Sequence, residues 1–292
     1  MELQITTLIE NTQDDAGKLA YEHGLSLYIE FLGKKILFDT GQSGIFLENA
    51  RALEKEITGI DYFLVSHGHY DHSGGVMKTV ELLDDRTKMF VGKGFFAPKY
   101  KKLEDGTYKY NGNLFAEAEL TEKLNEKCIV SSQLDEDVTY IDDKIVIFKN
   151  FKSNTGYEKH NPDFMIRQEP FCSEGICYMG GYCMDEFQEE IALGLITSKG
   201  LVLIAGCSHV GIINILEHVK AHLEIPVYCV IGGTHLVAAD QERLEQTAEA
   251  LENLGVRQIA VSHCTGEAGI KILQERFGEN FIKNNTGNVY TL

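Results

Sequence analysis

Short apolar runs of strand length alternate along this chain with amphipathic stretches of helix length. Residues 2–9 and 25–38 read as strands. Leu25, Leu27, Ile29 and Phe31 alternate with Ser26, Tyr28, Glu30 and Leu32, and Gly33-Lys34-Lys35 turns the chain before Ile36-Leu37-Phe38. The polar stretch Asn11-Thr12-Gln13-Asp14-Asp15-Ala16-Gly17 between them is a loop. Asp39-Thr40-Gly41 closes the next strand, a helix is expected over 43–54, and a further helix from near Gly74 to about Leu83. Strand-like runs recur at 128–131, 138–141 and 145–148. From residue 201 strand and helix alternate: Leu201 to Ala205, a helix from about Ile212, Val227 to Ile231, a helix from about Gln241, and Gln258 to Val261. In the second of these helices Leu244, Ala248, Leu251 and Leu254 share a face, with Asp240 as N-cap. Residues 92–127, rich in Lys, Tyr, Gly and Glu, fit neither half and read as an insertion in one domain covering 1–292.

The apolar runs end in a repeated way. Val65-Ser66-His67, Gly206-Cys207-Ser208-His209 and Val261-Ser262-His263 each follow a strand, and a fourth strand ends in Gly232-Gly233-Thr234-His235. Four strands that each deliver a histidine at the C-terminal end bring those rings to one sheet edge, where ligands sit in α/β folds.

The densest of these ends is Ser66-His67-Gly68-His69-Tyr70-Asp71-His72-Ser73-Gly74-Gly75, directly after Tyr62-Phe63-Leu64-Val65. Imidazole and carboxylate are ligands that suit zinc, iron and manganese, and a loop following a strand can fold them round a point. His67 and His69 are expected to bind one metal, and Asp71 and His72 lie close enough to serve a second. His209 and His263 are the residues chosen to complete the shells.

The pattern His-x-His-x-Asp-His followed by Gly-Gly resembles the metal-binding signature of the metallo-β-lactamase superfamily. That resemblance implies an α/β (α+β) fold, an αββα four-layer sandwich with a metal site, often binuclear, at one edge of its two sheets. It supports His263 as a late ligand, and it implies that Asp39 buttresses the metal loop by hydrogen bonds, since a ligand imidazole needs an acceptor on its other nitrogen. Asp39-Thr40-Gly41, the histidine segment, Gly206-Cys207-Ser208-His209-Val210-Gly211-Ile212-Ile213-Asn214, Gly232-Gly233-Thr234-His235-Leu236 and Ser262-His263-Cys264-Thr265-Gly266 occur in that order. Together they resemble the branch that contains the dihydropterin–ribofuranosylaminobenzene 5′-phosphate synthase and its bacterial relatives. One departure stands out: many members carry Gly-Asp, with a bridging Asp, where this chain reads Gly206-Cys207. Cys207 is therefore either a thiolate ligand or a small packed residue, and one or two ions remain open.

Other residues carry weaker signals. Gly206-Cys207-Ser208-His209-Val210-Gly211 opens a helix, so Ser208 and Gly211 are expected to help form an anion site. With Asp71, His235 is a candidate catalytic residue, as proton donor or substrate contact, and it is also a candidate ligand. His218 and His222 stand four apart, a metal-pair spacing, but read as a solvated helix face. His160 is left unassigned, and His23 lies near a loop that flanks the site. Cys172, Cys177 and Cys183 are spaced more widely than zinc-ribbon pairs, and no metal is expected there. Cys264 follows His263 directly and is expected near the metal.

Composition narrows the partners. A net charge of −17 disfavours a broad phosphate-backbone surface, hence the nuclease members of the superfamily, without excluding a small anion held locally. No apolar stretch approaches the roughly 18 residues of a membrane span. The seven cysteines do not suggest a disulfide framework, and Met1-Glu2-Leu3-Gln4 does not read as a signal peptide, so a cytoplasmic location is expected. The expected partner is a small-molecule substrate, with nucleic acid and membrane excluded and a homo-oligomer allowed. The leading expectation is a metal-dependent hydrolase, with zinc foremost and iron or manganese as alternatives, acting through metal-bound hydroxide on a phosphate- or carboxylate-bearing substrate. The alternatives are a pterin-related synthase or transferase with a phosphate or pyrophosphate leaving group, a di-iron redox enzyme, and a non-catalytic metal-binding sensor.

Overall fold

The computed structural model describes residues 2–173 and 176–292, except for the side chains of 171–178. Cys172 and Cys177 lie outside the described side chains.

Two seven-stranded sheets stack face to face. The first runs Val289–Thr291, Leu3–Ile9, Ser26–Phe31, Lys34–Phe38, Tyr62–Leu64, Lys88–Gly92, Val130–Leu134. The second runs Phe281–Lys283, Gln258–Val261, Val227–Gly232, Gly200–Ala205, Ala192–Thr197, Ile145–Phe148, Val138–Asp142. Leu27, Ile29, Ile36, Phe38 and Leu64 of one sheet meet Ile147, Leu193, Val202, Ile204 and Ile231 of the other, which forms the central core. The outer face of the first sheet packs Phe63, Val65 and Met89 against helices that contribute Phe46, Val76, Val80, Leu120 and Leu124. The outer face of the second packs Leu203, Val230 and Ile259 against Ile212, Leu216, Leu244, Leu251 and Leu273. These layers are helix, sheet, sheet, helix, and the expected αββα sandwich is the fold. Burying both faces of each sheet explains why the central strands read as continuous apolar runs rather than as alternations.

The stretch 92–127 divides. Its helix Glu117–Glu126 carries the parallel crossover from Lys88–Gly92 to Val130–Leu134 and belongs to the outer helical layer. The hairpin Lys99–Lys102 and Tyr108–Tyr110 instead joins Phe164–Gln168 and Gly181–Met184 in a separate four-stranded sheet. Hairpin and partners are 50 or more residues apart in sequence, so no local pattern reveals the pairing. Asp240 caps the helix Gln241–Asn253 by accepting from the Arg243 N–H. His218 departs from expectation: it is buried, packed on Phe151 at 5.2 Å between ring centroids, with Nε2 3.3 Å from the Asp137 carbonyl.

Candidate metal centre

Parallel pairing sets the site. Gly200–Ala205, Val227–Gly232 and Gln258–Val261 run parallel, so Cys207 with His209, His235 and His263 leave the sheet on the same side. In the other sheet Lys34–Phe38 and Tyr62–Leu64 run parallel and deliver Asp39 and the histidine segment to that same edge. Two groups of donors result. His67, His69 and His209 form one, Asp71, His72, Cys207 and His263 the other, and within each the ligand atoms lie within 4.8 Å of one another. A third combination, Cys207, His209 and His235, shares members with both.

The hydrogen bonds fix which nitrogen of each ring faces inward. Asp39, in a left-handed conformation at φ 61°, accepts from the Ser66 N–H at 2.7 Å, from Ser66 Oγ at 2.8 Å and from His72 Nδ1 at 2.6 Å. His263 Nδ1 donates to Asn11 Oδ1 at 2.9 Å, and its backbone N–H donates to Glu10 Oε1 at 2.6 Å. With both Nδ1 atoms committed as donors, His72 Nε2 and His263 Nε2 face each other at 3.1 Å, and Cys207 Sγ lies 3.1 Å from His72 Nε2. Two imidazole lone pairs at that distance repel unless a cation or a proton lies between them. In the first group His67 Nδ1 meets Ser66 Oγ at 2.9 Å, and His67 Nε2 faces His69 Nδ1 at 3.2 Å. His69 Nε2 points outward to the Asn111 amide at 3.2 Å. His209 stacks flat on Phe187 at 3.9 Å, and its Nε2 is buried without a hydrogen-bond partner. The residues fit a metal: the donor set is imidazole, carboxylate and thiol, its atoms converge, and His209 Nε2 is buried with no other partner.

Electrostatics ready the first group for a cation, while burial keeps the Cys207 thiol of the second protonated in the absence of one. Burial holds His67, His69 and His209 well below the usual imidazole pKa, so all three are neutral and able to coordinate. Burial opposes ionisation of Asp71, yet His72, His23 and His263 around it hold its carboxyl well below the usual range. Burial also lowers His72, but the Asp39 and Asp71 carboxylates outweigh it and raise the ring to about 9. A proton and a divalent cation would therefore compete for the same space between His72 and His263.

Comparisons with known proteins identify the family. A family model for the metallo-β-lactamase superfamily matches residues 22–151. An uncharacterised protein of Methanocaldococcus jannaschii is 30% identical over 98% of this chain and 98% of its own length. The chain belongs to the metallo-β-lactamase superfamily. A second M. jannaschii protein, the 7,8-dihydropterin-6-methyl-4-(β-D-ribofuranosyl)-aminobenzene-5′-phosphate synthase, is 29% identical over 98% of this chain and 96% of its own. Among solved structures, a metal-dependent hydrolase of the β-lactamase superfamily superposes with a TM-score of 0.80 at 27% identity, covering 100% of this chain and 99% of that one. Zn²⁺-bound PqqB from Methylobacterium extorquens, at 9% identity and TM-score 0.56 over 99% and 100% of the two chains, shares the fold alone.

Against the superfamily pattern, the anion site expected at Ser208 and Gly211 needs correction. Ser208 is buried and donates to the Gly233 carbonyl at 2.7 Å. The N-terminus of the helix Ile212–His222 is filled by the chain itself: Glu158 accepts from the Ile213 and Asn214 N–H groups at 3.1 and 2.8 Å. Gly211, at φ 97°, lies so close to that carboxylate that an added Cβ would sit 2.3 Å from its oxygen. Glu190 likewise takes the His209 and Val210 N–H groups at 2.9 and 3.1 Å. His235 stands beside His209, 4.3 Å between ring centroids, with its Nδ1 buried and unpartnered. Cys264 donates to the Cys207 carbonyl at 3.3 Å. His160 is half-buried near Phe187, whereas His218 and His222 lie on a helix beside Asp137.

Several contributors carried no sequence signal. Phe164 and Phe187 press on His69 and His209, at 5.1 to 5.4 Å for His69. Lys99 is fully buried, bound to Asp185 and Glu189 at 2.6 and 2.7 Å, and lies 4.9 Å from the Phe187 ring centroid. Asn111 comes from the hairpin region and Asn11 from a loop near the N-terminus. Only Asn11 had a possible clue, a polar cluster between two strands.

Proposed function

We propose that the protein is a metal-dependent hydrolase that takes a small phosphate- or carboxylate-bearing substrate, with one ion at His67, His69 and His209 and a second at Asp71, His72, Cys207 and His263. The observation that carries the reading is the convergence on one sheet edge of two sets of imidazole nitrogens, one with Asp71 and Cys207 beside it and the other with His209 Nε2 buried and unpartnered. Zinc suits this mixture of imidazole, carboxylate and thiolate better than manganese does. When bound, the metal supplies Lewis-acid polarisation of the scissile group and lowers the pKa of water.

The chain's own residues do the rest. Asp39 and Asn11 fix His72 and His263 in the tautomer that leaves Nε2 free. Phe187 and Phe164 exclude water from the His69 and His209 side. Asp71 stays ionised and presents Oδ2 as a ligand atom, with His23 and His263 Nε2 each 3.2 Å away. His235, half-buried with an unpartnered Nδ1, donates a proton to the leaving group. The hydrolase of known structure at 27% identity supports hydrolysis. No helix among the described residues is long and apolar enough to cross a membrane, and with the charge of −17 this supports a small-molecule substrate over lipid or nucleic acid.

A second reading, a synthase that joins two small molecules with loss of phosphate or pyrophosphate, is favoured by the full-length relative at 29% identity. The test measures metal content after anaerobic purification and turnover on phosphomonoester, phosphodiester, thioester and lactone substrates. Hydrolysis that disappears in His67→Ala supports the first reading. A metal-loaded protein that hydrolyses none of them, but condenses a pterin pyrophosphate with an arylamine, favours the second.

A further inference from the structure

In the Asp71 half of the site, where Asp39 braces His72, one loop, residues 10–25, braces Asp71 and His263. Glu10 and Asn11 bind the His263 backbone and ring. The Leu25 N–H donates to the Asp71 carbonyl at 3.3 Å, and Gly24 packs so tightly there that a Cβ would lie 2.4 Å from that oxygen. From the same loop His23 reaches over the site. Its Nε2 lies 3.2 Å from Asp71 Oδ2, and its ring lies 5.0 Å from His263 and 6.5 Å from Tyr70 between centroids. His23 is 52% exposed in its side chain, whereas Asp71 is 9% exposed. It is therefore the solvent-side neighbour of a carboxylate otherwise closed in by His72 and His263.

We propose that His23 is a positioning residue: its Nε2–H holds the Asp71 carboxylate in the orientation that completes the Asp71–His72–Cys207–His263 metal subsite and covers that subsite from solvent. The inference rests on the metal reading above. A carboxylate ligand left without its supporting donor rotates toward water, and loss of such a support lowers metal affinity about 10–100-fold. Among the described residues, no hydrogen bond joins the His67–His69–His209 group to this loop, so that group should keep its ion.

The test uses the full chain loaded with Co²⁺ or Zn²⁺. Bound metal is counted by mass spectrometry, affinity is measured against a chromophoric chelator, and the visible Co²⁺ spectrum reports each subsite. His23→Ala and His23→Leu should weaken one of two equivalents about 10–100-fold and leave the other unchanged. His23→Gln, whose amide N–H reaches the position of Nε2, should restore most of the affinity. Two equally tight ions in His23→Ala overturn the proposal while leaving the metal reading intact. A His23→Gln variant as weak as His23→Ala overturns the donor role. A wild-type chain that takes up no ion overturns both readings.

Discussion

Glu158 is a buried carboxylate at the start of the helix Ile212–His222, and two effects compete over its charge. The helix N-terminus and the Ile213 and Asn214 N–H groups favour the ionised form. Burial disfavours it and is the larger effect, raising the group from 4.5 to about 7. A carboxylate whose folded pKa lies above its unfolded value holds a proton in the native state that the unfolded chain has already released. The resulting stability is fully present below the unfolded pKa of about 4.5 and is lost as pH rises through about 7. At roughly 1.4 kcal/mol per pH unit, the loss between pH 4.5 and 8 is about 3 kcal/mol. Glu158→Gln removes this titration. Its amide accepts one N–H and turns an NH₂ toward the other, a pH-independent loss of about 1–3 kcal/mol. The variant should therefore be less stable than the wild type at pH 5 and close to it, or above it, at pH 8. Urea unfolding of both proteins at the two pH values, with metal content held constant, measures the difference directly, because every other titrating group cancels. A stability gap that stays constant with pH, or widens as pH rises, would show that the helix terminus wins over burial and would refute the reasoning.

Lys99→Met should destabilise the fold by about 3–5 kcal/mol in the same assay, because it leaves Asp185 and Glu189 buried without their cation. Asp39→Asn should lower metal affinity about 10–100-fold in chelator competition, since the amide has one oxygen and cannot accept both from the Ser66 N–H, bound at Oδ1, and from His72 Nδ1, bound at Oδ2. Gly211→Ala should lower the unfolding midpoint by an amount equivalent to about 1–3 kcal/mol, as the position is left-handed and its new Cβ collides with Glu158. An unchanged midpoint would mean that the loop bearing Glu158 moves aside freely.

The layers of the fold were legible because strand and helix periodicities are local. So were the residues at the strand ends: a histidine directly after a parallel strand has only one sheet edge to occupy, and His67, His209, His235 and His263 all reach it. What sequence could not show was which groups face those histidines from elsewhere. Lys99 looks like one of several lysines in a polar hairpin, yet it is buried because Phe164–Gln168, more than 60 residues on, folds that hairpin against Phe187. The Gly206–Gly211 turn has every local feature of an anion site, but Glu158 and Glu190 arrive from distant segments to take its N–H groups. Backbone chemistry predicted the need for an acceptor there, and it could not tell an internal carboxylate from a ligand.

That distinction bears on how the two donor groups differ. His67, His69 and His209 are braced by rings and by a buried ion triad on the side of the four-stranded sheet. Asp71 and His263 are braced by polar atoms of a loop that is partly exposed. A hydrophobic surround lowers the local dielectric and holds neutral imidazoles ready, so the first group depends on packing as well as on its bonds to Ser66 and Asn111. The second group depends on individual hydrogen bonds, each of which one substitution removes. Cys207 belongs to that second group, at the position where the superfamily resemblance leads one to expect an aspartate. If the proposed second ion is bound, a Cys207 thiolate would offer it one soft donor where a carboxylate could span two ions, so its affinity would depend on Cys207 and the loop. The two sites should accordingly be separable by mutation, with the loop controlling one and the small sheet the other.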